Sequence, residues 1–102
     1  MFETDLYRGQ RVLVTGGGTG LGFAMAGKLA SLGAEVHLWG RREAVLHEAA
    51  AVLRETYGAQ VFTHALDIRD AAAVARQVDH IWQQHGPLTA LINNAAGAAP
   101  RI

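Results

Sequence analysis

Short apolar runs alternate along the chain with longer stretches in which apolar positions recur every three or four residues. The short runs are rich in Val, Leu and Ile and predict strands over 11–15, 35–39, 60–64 and 89–93. The longer stretches predict helices over 21–32 and 42–57, and a third helix from an Asp70 N-cap to Gly86-Pro87. The pattern therefore predicts strictly alternating strands and helices.

The apolar positions of each helix indicate the face that it buries. In the first helix they are Leu21, Ala24, Met25, Leu29 and Leu32. In the second they are Val45, Leu46, Ala49, Val52 and Leu53, and in the third Ala71, Val74, Val78 and Ile81. Gly33 and Gly58 stand where the first two helices are expected to end.

Strands separated by helices of this length indicate right-handed crossovers and a parallel sheet with helices on both faces. The predicted fold class is α/β, the N-terminal half of a doubly wound Rossmann-type sheet with strand order 3-2-1-4. Strand four then lies beside strand one. We therefore expect the turns at 16–22 and 94–97 to meet at the switch point, where such folds bind ligands.

Composition narrows the class of protein. The chain has 102 residues, with nine Lys plus Arg against nine Asp plus Glu, and half of its residues are hydrophobic. One globular domain without a basic surface for nucleic acid or membranes is expected. The absence of cysteine excludes disulfides and thiolate metal sites, and the acidic N-terminus is unlike a signal peptide. The expectation is a cytoplasmic protein.

Five histidines raise the question of a metal site. None falls in an H-E-x-x-H pattern, and His37 and His64 lie within predicted strands, where packing is the simpler role. His80 and His85 share only one rough side of the third helix. We expect no metal site.

The turn after the first strand reads Thr15-Gly-Gly-Gly-Thr-Gly-Leu-Gly22. Glycines permit a tight turn and let backbone N–H groups approach a phosphate, to which the following helix N-terminus adds partial positive charge. A purely structural turn is the alternative, but five glycines within 16–22 exceed what one needs. The spacing is G-x3-G-x-G rather than G-x-G-x-x-G.

With this turn and the run Asn93-Asn94-Ala95-Ala96, the chain resembles the short-chain dehydrogenases/reductases. Their T-G-x3-G-x-G motif is matched at Thr15, Gly16, Gly20 and Gly22, and their Asn-Asn-Ala-Gly run ends the fourth strand. The resemblance is strongest to the 2,4-dienoyl-CoA reductase branch of fatty acid metabolism and its bacterial relatives. It implies a Rossmann fold and an oxidoreductase.

The end of the second strand indicates which nicotinamide cofactor is preferred. NAD enzymes of this fold place an acidic residue there for the ribose 2′-OH, whereas this chain has Gly40-Arg41-Arg42. A guanidinium suits the 2′-phosphate of NADP. The resemblance assigns that contact to Arg41, with Arg42 as a helper. A solvated arginine pair opening the second helix is the alternative.

The resemblance also implies roles for Asp67 at the adenine amino group, Ile68 along the adenine ring and Asn94 at the ribose. Arg69 resembles a residue that meets acyl-CoA in dienoyl-CoA reductases, with an exposed arginine as the simpler interpretation. The expected cofactor-binding residues are Thr15, Gly16, Gly18, Thr19, Gly20, Leu21, Gly22, Arg41, Arg42, Asp67, Ile68, Asn94 and Ala95.

The family's Tyr-x3-Lys pair does not occur in the sequence. Its tyrosines are Tyr7 and Tyr57, its one lysine is Lys28, and Val61 stands four residues after Tyr57. We therefore expect an incomplete NAD(P)-binding domain over 1–102 without catalytic residues. We interpret the chain as the cofactor half of an NADP-dependent enoyl/dienoyl-CoA or carbonyl reductase, a homo-oligomer (tetramer) with a small-molecule substrate such as an acyl-CoA. The alternative is a non-catalytic nucleotide-binding or interaction fragment.

Overall fold

Seven elements follow one another in the predicted order. The computed structural model describes residues 6–94. Its elements are β1 (Arg11–Thr15), α1 (Gly20–Ser31), β2 (Glu35–Gly40), α2 (Glu43–Tyr57), β3 (Val61–Ala65), α3 (Ala71–Gln84) and β4 (Ala90–Asn93). Every boundary lies within one residue of the sequence prediction.

The four strands form one parallel sheet in the order β3-β2-β1-β4, as predicted. Val12 is the register partner of Val36 on β2 and of Ala90 on β4, and Val36 in turn pairs with Val61 on β3. Because β1 pairs with both β2 and β4, the carboxyl ends of β1 and β4 are neighbours, and the turn after β1 lies near Asn94.

Helices α1 and α2 cover an apolar face of the sheet. Their buried residues join Val12, Val14, Val36, Leu38 and Val61 in one cluster. The face of α1 differs from the predicted stripe: Leu21 is 65% exposed, whereas Gly22, Ala26, Gly27 and Ala30 are buried. Small residues let the helix backbone approach the sheet closely, which larger side chains would prevent. On α2, Val52 is likewise exposed rather than buried, and Ala50 is buried instead.

Helix α3 covers the opposite face of the sheet, where apolar and polar side chains both occur. The apolar part of this layer is formed by Leu13, Trp39 and Ile81. Towards the amino ends of the strands this face carries Glu35 and the fully buried His37. The prediction that His37 is a packing residue is confirmed by its burial.

The predicted helix termini are present. Gly33 has φ 97° directly after the C-cap of α1, and Gly58 caps α2 with φ 64°. Asp70 caps α3 by accepting the Ala73 backbone N–H at 3.1 Å. Within residues 6–94, no helix has the length and apolar character needed to cross a membrane.

Candidate functional site

The glycine-rich turn lies at the carboxyl end of β1 and leads into α1. Gly16 and Gly20 have φ values of 67° and 58°, a region in which a side chain is strained. The backbone N–H of Gly16 donates to the Trp39 carbonyl at 2.8 Å, which ties the turn to the end of β2. Gly18 packs against α2, because a Cβ there would lie 2.8 Å from Val45 Cγ1. The turn is therefore fixed by both neighbouring elements.

Gly22 is a point at which the two motifs found in the sequence pack closely together. A Cβ at this position would lie 2.1 Å from the Gly16 carbonyl oxygen and 2.7 Å from Asn94 Nδ2. No other residue fits without moving backbone. The first turn of α1 thus packs directly on the turn and on the residue after β4, and the two motifs meet as predicted.

Thr15 positions Asn94. Its hydroxyl donates to Asn93 Oδ1 at 2.9 Å and accepts the Asn94 backbone N–H at 2.9 Å. Thr15 is only 5% exposed, so these contacts lie inside the protein. The structure therefore gives this predicted cofactor residue a bracing position between β1 and β4.

The amino ends of α1 and α3 differ. Asp70 caps α3, whereas the Thr19 side chain makes no cap hydrogen bond at α1, and the first turn of α1 contains no acidic residue. Thr19 and Gly20 are exposed at this end, as is Leu21. The backbone N–H groups of the first turn and the positive end of the helix dipole are thus open to an anion.

Arg41 directly follows β2 and is 67% exposed. Arg42, also exposed, is the N-cap residue of α2, and its side chain makes no cap hydrogen bond. The end of β2 therefore carries two arginines beside the glycine-rich turn, and no carboxylate belongs to the strand end itself.

Asp67 lies in the turn after β3, and its carboxylate is held mainly by Arg69. Arg69 Nη2 lies 2.9 Å from Asp67 Oδ2, and the Arg69 backbone N–H donates to Oδ1 at 2.9 Å. Arg41 Nη1 lies 3.9 Å from the same Oδ2. The hydrogen bond from the Arg69 side chain, followed by that from its backbone, lowers the pKa of Asp67 to about 2. This carboxylate is therefore ionised at neutral pH.

Two predicted cofactor residues remain, Ile68 and Ala95. Ile68 is 38% exposed in the same turn as Asp67, where an apolar face remains accessible. Ala95 lies outside the described residues. The structure thus brings the glycine-rich turn, Asn94 and the end of β2 together at one edge of the sheet.

Sequence reasoning missed a polar network at the opposite, amino end. Glu35 Oε2 lies 2.7 Å from both Arg11 Nε and His37 Nε2, and 3.6 Å from His85 Nδ1. Burial alone would raise the pKa of Glu35, but the hydrogen bonds from Arg11 and His37 outweigh it and lower that pKa. Glu35 starts β2 opposite Arg11 on β1, so strand register was the signal that could have found the pair.

The ligand-type atoms of Glu35, His37 and His85 lie within 4.8 Å of one another. The Arg11 guanidinium already contacts the carboxylate oxygen that the two histidines share, and its positive charge opposes a cation there. We interpret this cluster as a structural network built on the ion pair between Arg11 and Glu35.

The geometry at the carboxyl ends fits a dinucleotide. The uncapped α1 N-terminus, with its exposed backbone N–H groups, and the exposed arginines after β2 supply backbone and charged donors for a pyrophosphate and a further phosphate. The residues present therefore suit a nicotinamide dinucleotide at this edge.

Comparison with known proteins agrees with the fold. The family model for short chain dehydrogenase matches residues 10–101. The peroxisomal 2,4-dienoyl-CoA reductase of Arabidopsis thaliana is 38% identical over 96 residues, which cover 94% of this chain and 32% of that reductase. The chain thus spans about a third of the length of this curated relative.

Two solved structures superpose closely on the chain. A citronellol catabolism dehydrogenase of Pseudomonas aeruginosa PAO1 has TM-score 0.89 and 41% identity, covering 96% of this chain and 41% of that one. An L-sorbose reductase of Gluconobacter frateurii, complexed with NADPH and L-sorbose, has TM-score 0.86 and 30% identity, covering 97% of this chain and 38% of that one. With its glycine-rich turn, its strand order and this match over nearly its whole length, the chain belongs to the short chain dehydrogenase family.

Proposed function

We propose that this chain is the cofactor-binding half of an NADP-dependent oxidoreductase that reduces an enoyl- or dienoyl-CoA, or a carbonyl compound. The observation that carries the proposal is the pair of exposed arginines directly after β2, beside a glycine-rich turn that Gly22 packs against Asn94. The dienoyl-CoA reductase relative and the NADPH complex of the sorbose reductase support the substrate class and the cofactor.

Each group at this edge has a proposed role. The backbone N–H groups of 16–22 would hold the pyrophosphate, and Arg41, helped by Arg42, the 2′-phosphate. Asp67 would accept a hydrogen bond from the adenine amino group, Ile68 would lie along the adenine ring, and Asn94 would contact the ribose. The bound cofactor supplies a hydride, while these residues bind and orient it. We assign no catalytic residue within the sequence.

The test is the affinity of the protein for NADPH and NADH, measured by calorimetry. We expect NADPH to bind at least tenfold more tightly, because a charge-assisted phosphate contact contributes about 1.5–3 kcal/mol and about 1.4 kcal/mol is tenfold. Arg41→Ala should remove most of this preference and leave NADH affinity nearly unchanged. Arg76→Ala removes an equal charge from the exposed side of α3 and is the matched control. Equal affinities in the unmutated protein would overturn the assignment.

A second candidate is an interaction module that pairs through β4. This strand is an edge of the described sheet, and Leu91 on it is 61% exposed beside an open groove of about 510 Å³. In this case the chain should form oligomers that Leu91→Lys disperses and Val52→Lys, at an exposed apolar position on α2, does not. Size-exclusion chromatography of the unmutated protein and of both variants shows whether the chain pairs through β4 or does not pair.

A further inference from the structure

The Asp67 carboxylate lies between two arginines that contact it differently. Arg69 engages both of its oxygens, with Nη2 at 2.9 Å from Oδ2 and Nε at 3.1 Å from Oδ1. Arg41 Nη1 lies 3.9 Å from the same Oδ2, beyond hydrogen-bond distance. The two arginines therefore compete for one oxygen, and Arg69 holds it.

Backbone hydrogen bonds keep Asp67 close to Arg41 independently of either arginine side chain. The Leu66 N–H donates to the Gly40 carbonyl at 2.8 Å, which ties the residue before Asp67 to the residue before Arg41. The Asp70 N–H donates to the Asp67 carbonyl at 2.9 Å and closes the turn. Asp67 therefore stays beside Arg41 when the Arg69 side chain is removed.

The two oxygens of the Asp67 carboxylate have different hydrogen-bond partners. Oδ1 also accepts the Arg69 backbone N–H at 2.9 Å, a bond that survives truncation of the Arg69 side chain. The Arg69 side chain and the more distant Arg41 are the two cations at Oδ2 among the described residues. Removing the guanidinium of Arg69 would thus free the oxygen that faces Arg41.

Resting on the proposed function, we propose that Arg69 is a positioning residue for NADP selection: it holds the Asp67 carboxylate and so keeps the loose Arg41–Asp67 ion pair from closing to hydrogen-bond distance. A carboxylate paired with Arg41 would occupy donors that the 2′-phosphate needs and would place negative charge beside that phosphate. NADH has no 2′-phosphate, so the pairing would weaken NADPH binding selectively.

The expected effect is modest because all three side chains are accessible to solvent. Arg41 and Arg69 are 67% and 76% exposed, and Asp67 is 38% exposed. Exposed ion pairs change an equilibrium by up to about fivefold, and salt screens them. We expect Arg69→Ala to lower the ratio of NADPH to NADH affinity by about two- to fivefold at low salt, and by less at about 0.5 M salt.

The experiment is a double-mutant cycle with Arg69→Ala, Asp67→Asn and both together, with the affinities for NADPH and NADH measured for each protein. Any adenine contact of Asp67 is shared by both cofactors, so its loss cancels in the ratio. Asp67→Asn should restore the wild-type ratio in the Arg69→Ala background, because a neutral amide does not compete for Arg41 as an ion. Arg76→Ala, which removes an equal charge from the exposed side of α3, should leave the ratio unchanged.

A second measurement needs no cofactor. The ¹⁵N resonances of the Arg41 guanidinium should shift in Arg69→Ala and return in the double variant, since only the single variant leaves the Asp67 carboxylate free to form a hydrogen bond with Arg41. Wild-type protein with no NADPH preference would overturn the proposed function and, with it, this role in selection. An NADPH-selective wild type would overturn the inference alone if Arg69→Ala kept the ratio, if Asp67→Asn failed to restore it, or if the Arg41 resonances did not move.

Discussion

Both ends of the sheet carry arginines and carboxylates, but these side chains are enclosed at the amino end and accessible to solvent at the carboxyl end. At the amino end, Arg11, Glu35 and His37 are joined by contacts of 2.7 Å, and their side chains are 21%, 15% and 0% exposed. Arg11 Nη1 also donates to the Pro87 carbonyl at 3.0 Å, which links β1 to the segment before β4. This network is enclosed and nearly balanced in charge.

At the carboxyl end the charged side chains are accessible to solvent. Arg41, Arg42 and Arg69 lie there with Glu43, Asp67 and Asp70, and an uncapped helix N-terminus adds partial positive charge beside them. Charged groups that pair with one another inside the protein are withdrawn from solvent, whereas exposed ones remain available to a ligand. The amino end is therefore interpreted as structural and the carboxyl end as a site for a phosphorylated ligand.

The largest effect is expected from Gly22→Ala at the carboxyl end. The new Cβ would lie 2.1 Å from the Gly16 carbonyl oxygen and 2.7 Å from Asn94 Nδ2, and the clash with Gly16 cannot be relieved without moving backbone. We expect a loss of about 3 kcal/mol or more in the free energy of unfolding, together with loss of cofactor binding.

Gly27→Ala is the matched control in the same helix. Its Cβ would lie 3.5 Å from Leu53 Cδ2, an ordinary contact, so stability should be unchanged or higher. Chemical denaturation of both variants measures the difference, and equal stabilities would contradict the close approach of α1.

Glu35→Gln tests the amino end. It leaves the Arg11 guanidinium and His37 without their charged partner, so we expect a loss of about 2–3 kcal/mol in stability. The ratio of NADPH to NADH affinity should not change, because the network lies at the far end of the strands. Glu43→Gln, in an exposed pair with His47, should cost about 0.5 kcal/mol or less. A changed cofactor ratio in Glu35→Gln would show that the two ends are coupled.

The sheet face that α3 covers should make the stability of the protein depend on pH. Burial lowers the pKa of His64 from its ordinary 6.5 to about 4, and burial also lowers that of His37 against the opposing effect of Glu35. Facing these two are Arg11, Glu35, His80 and His85.

For a histidine with a lowered folded-state pKa, the unfolded state binds the proton more tightly. The stability is therefore complete above pH 6.5 and is lost as the pH falls towards 4. We expect unfolding to become easier by about 2 kcal/mol between pH 7 and pH 5. His64→Gln should flatten this dependence and His47→Gln, exposed on α2, should not; a flat profile in the unmutated protein would contradict the burial of these rings.

The elements and their order could be predicted because their causes are local. Alternating β-branched runs, the Asp70 cap and glycines at 33 and 58 fix the boundaries within one residue. Short crossovers then leave few topologies, and the observed β3-β2-β1-β4 order is the one predicted. The meeting of the glycine-rich turn with Asn94 follows from that order.

What could not be predicted depends on contacts between distant residues. Leu21 and Ala24 were expected on the buried face of α1, but the helix is docked on the sheet through Gly22 and Ala26 instead. Glu35 meets Arg11 through strand register and His85 only through the docking of α3. The contact of Arg69 with Asp67 depends on a turn whose geometry no periodicity reveals.

The most direct test of the account is to follow backbone amide resonances of the protein while NADP⁺ is added. We predict saturable shifts concentrated at 16–22, Arg41, Asp67 and Asn94, with the amides of Arg11, Glu35 and His85 unmoved. Shifts concentrated at Arg11, Glu35 and His85, or no saturable shift with millimolar NADP⁺, would contradict the assignment of the ligand site to the carboxyl end of the sheet.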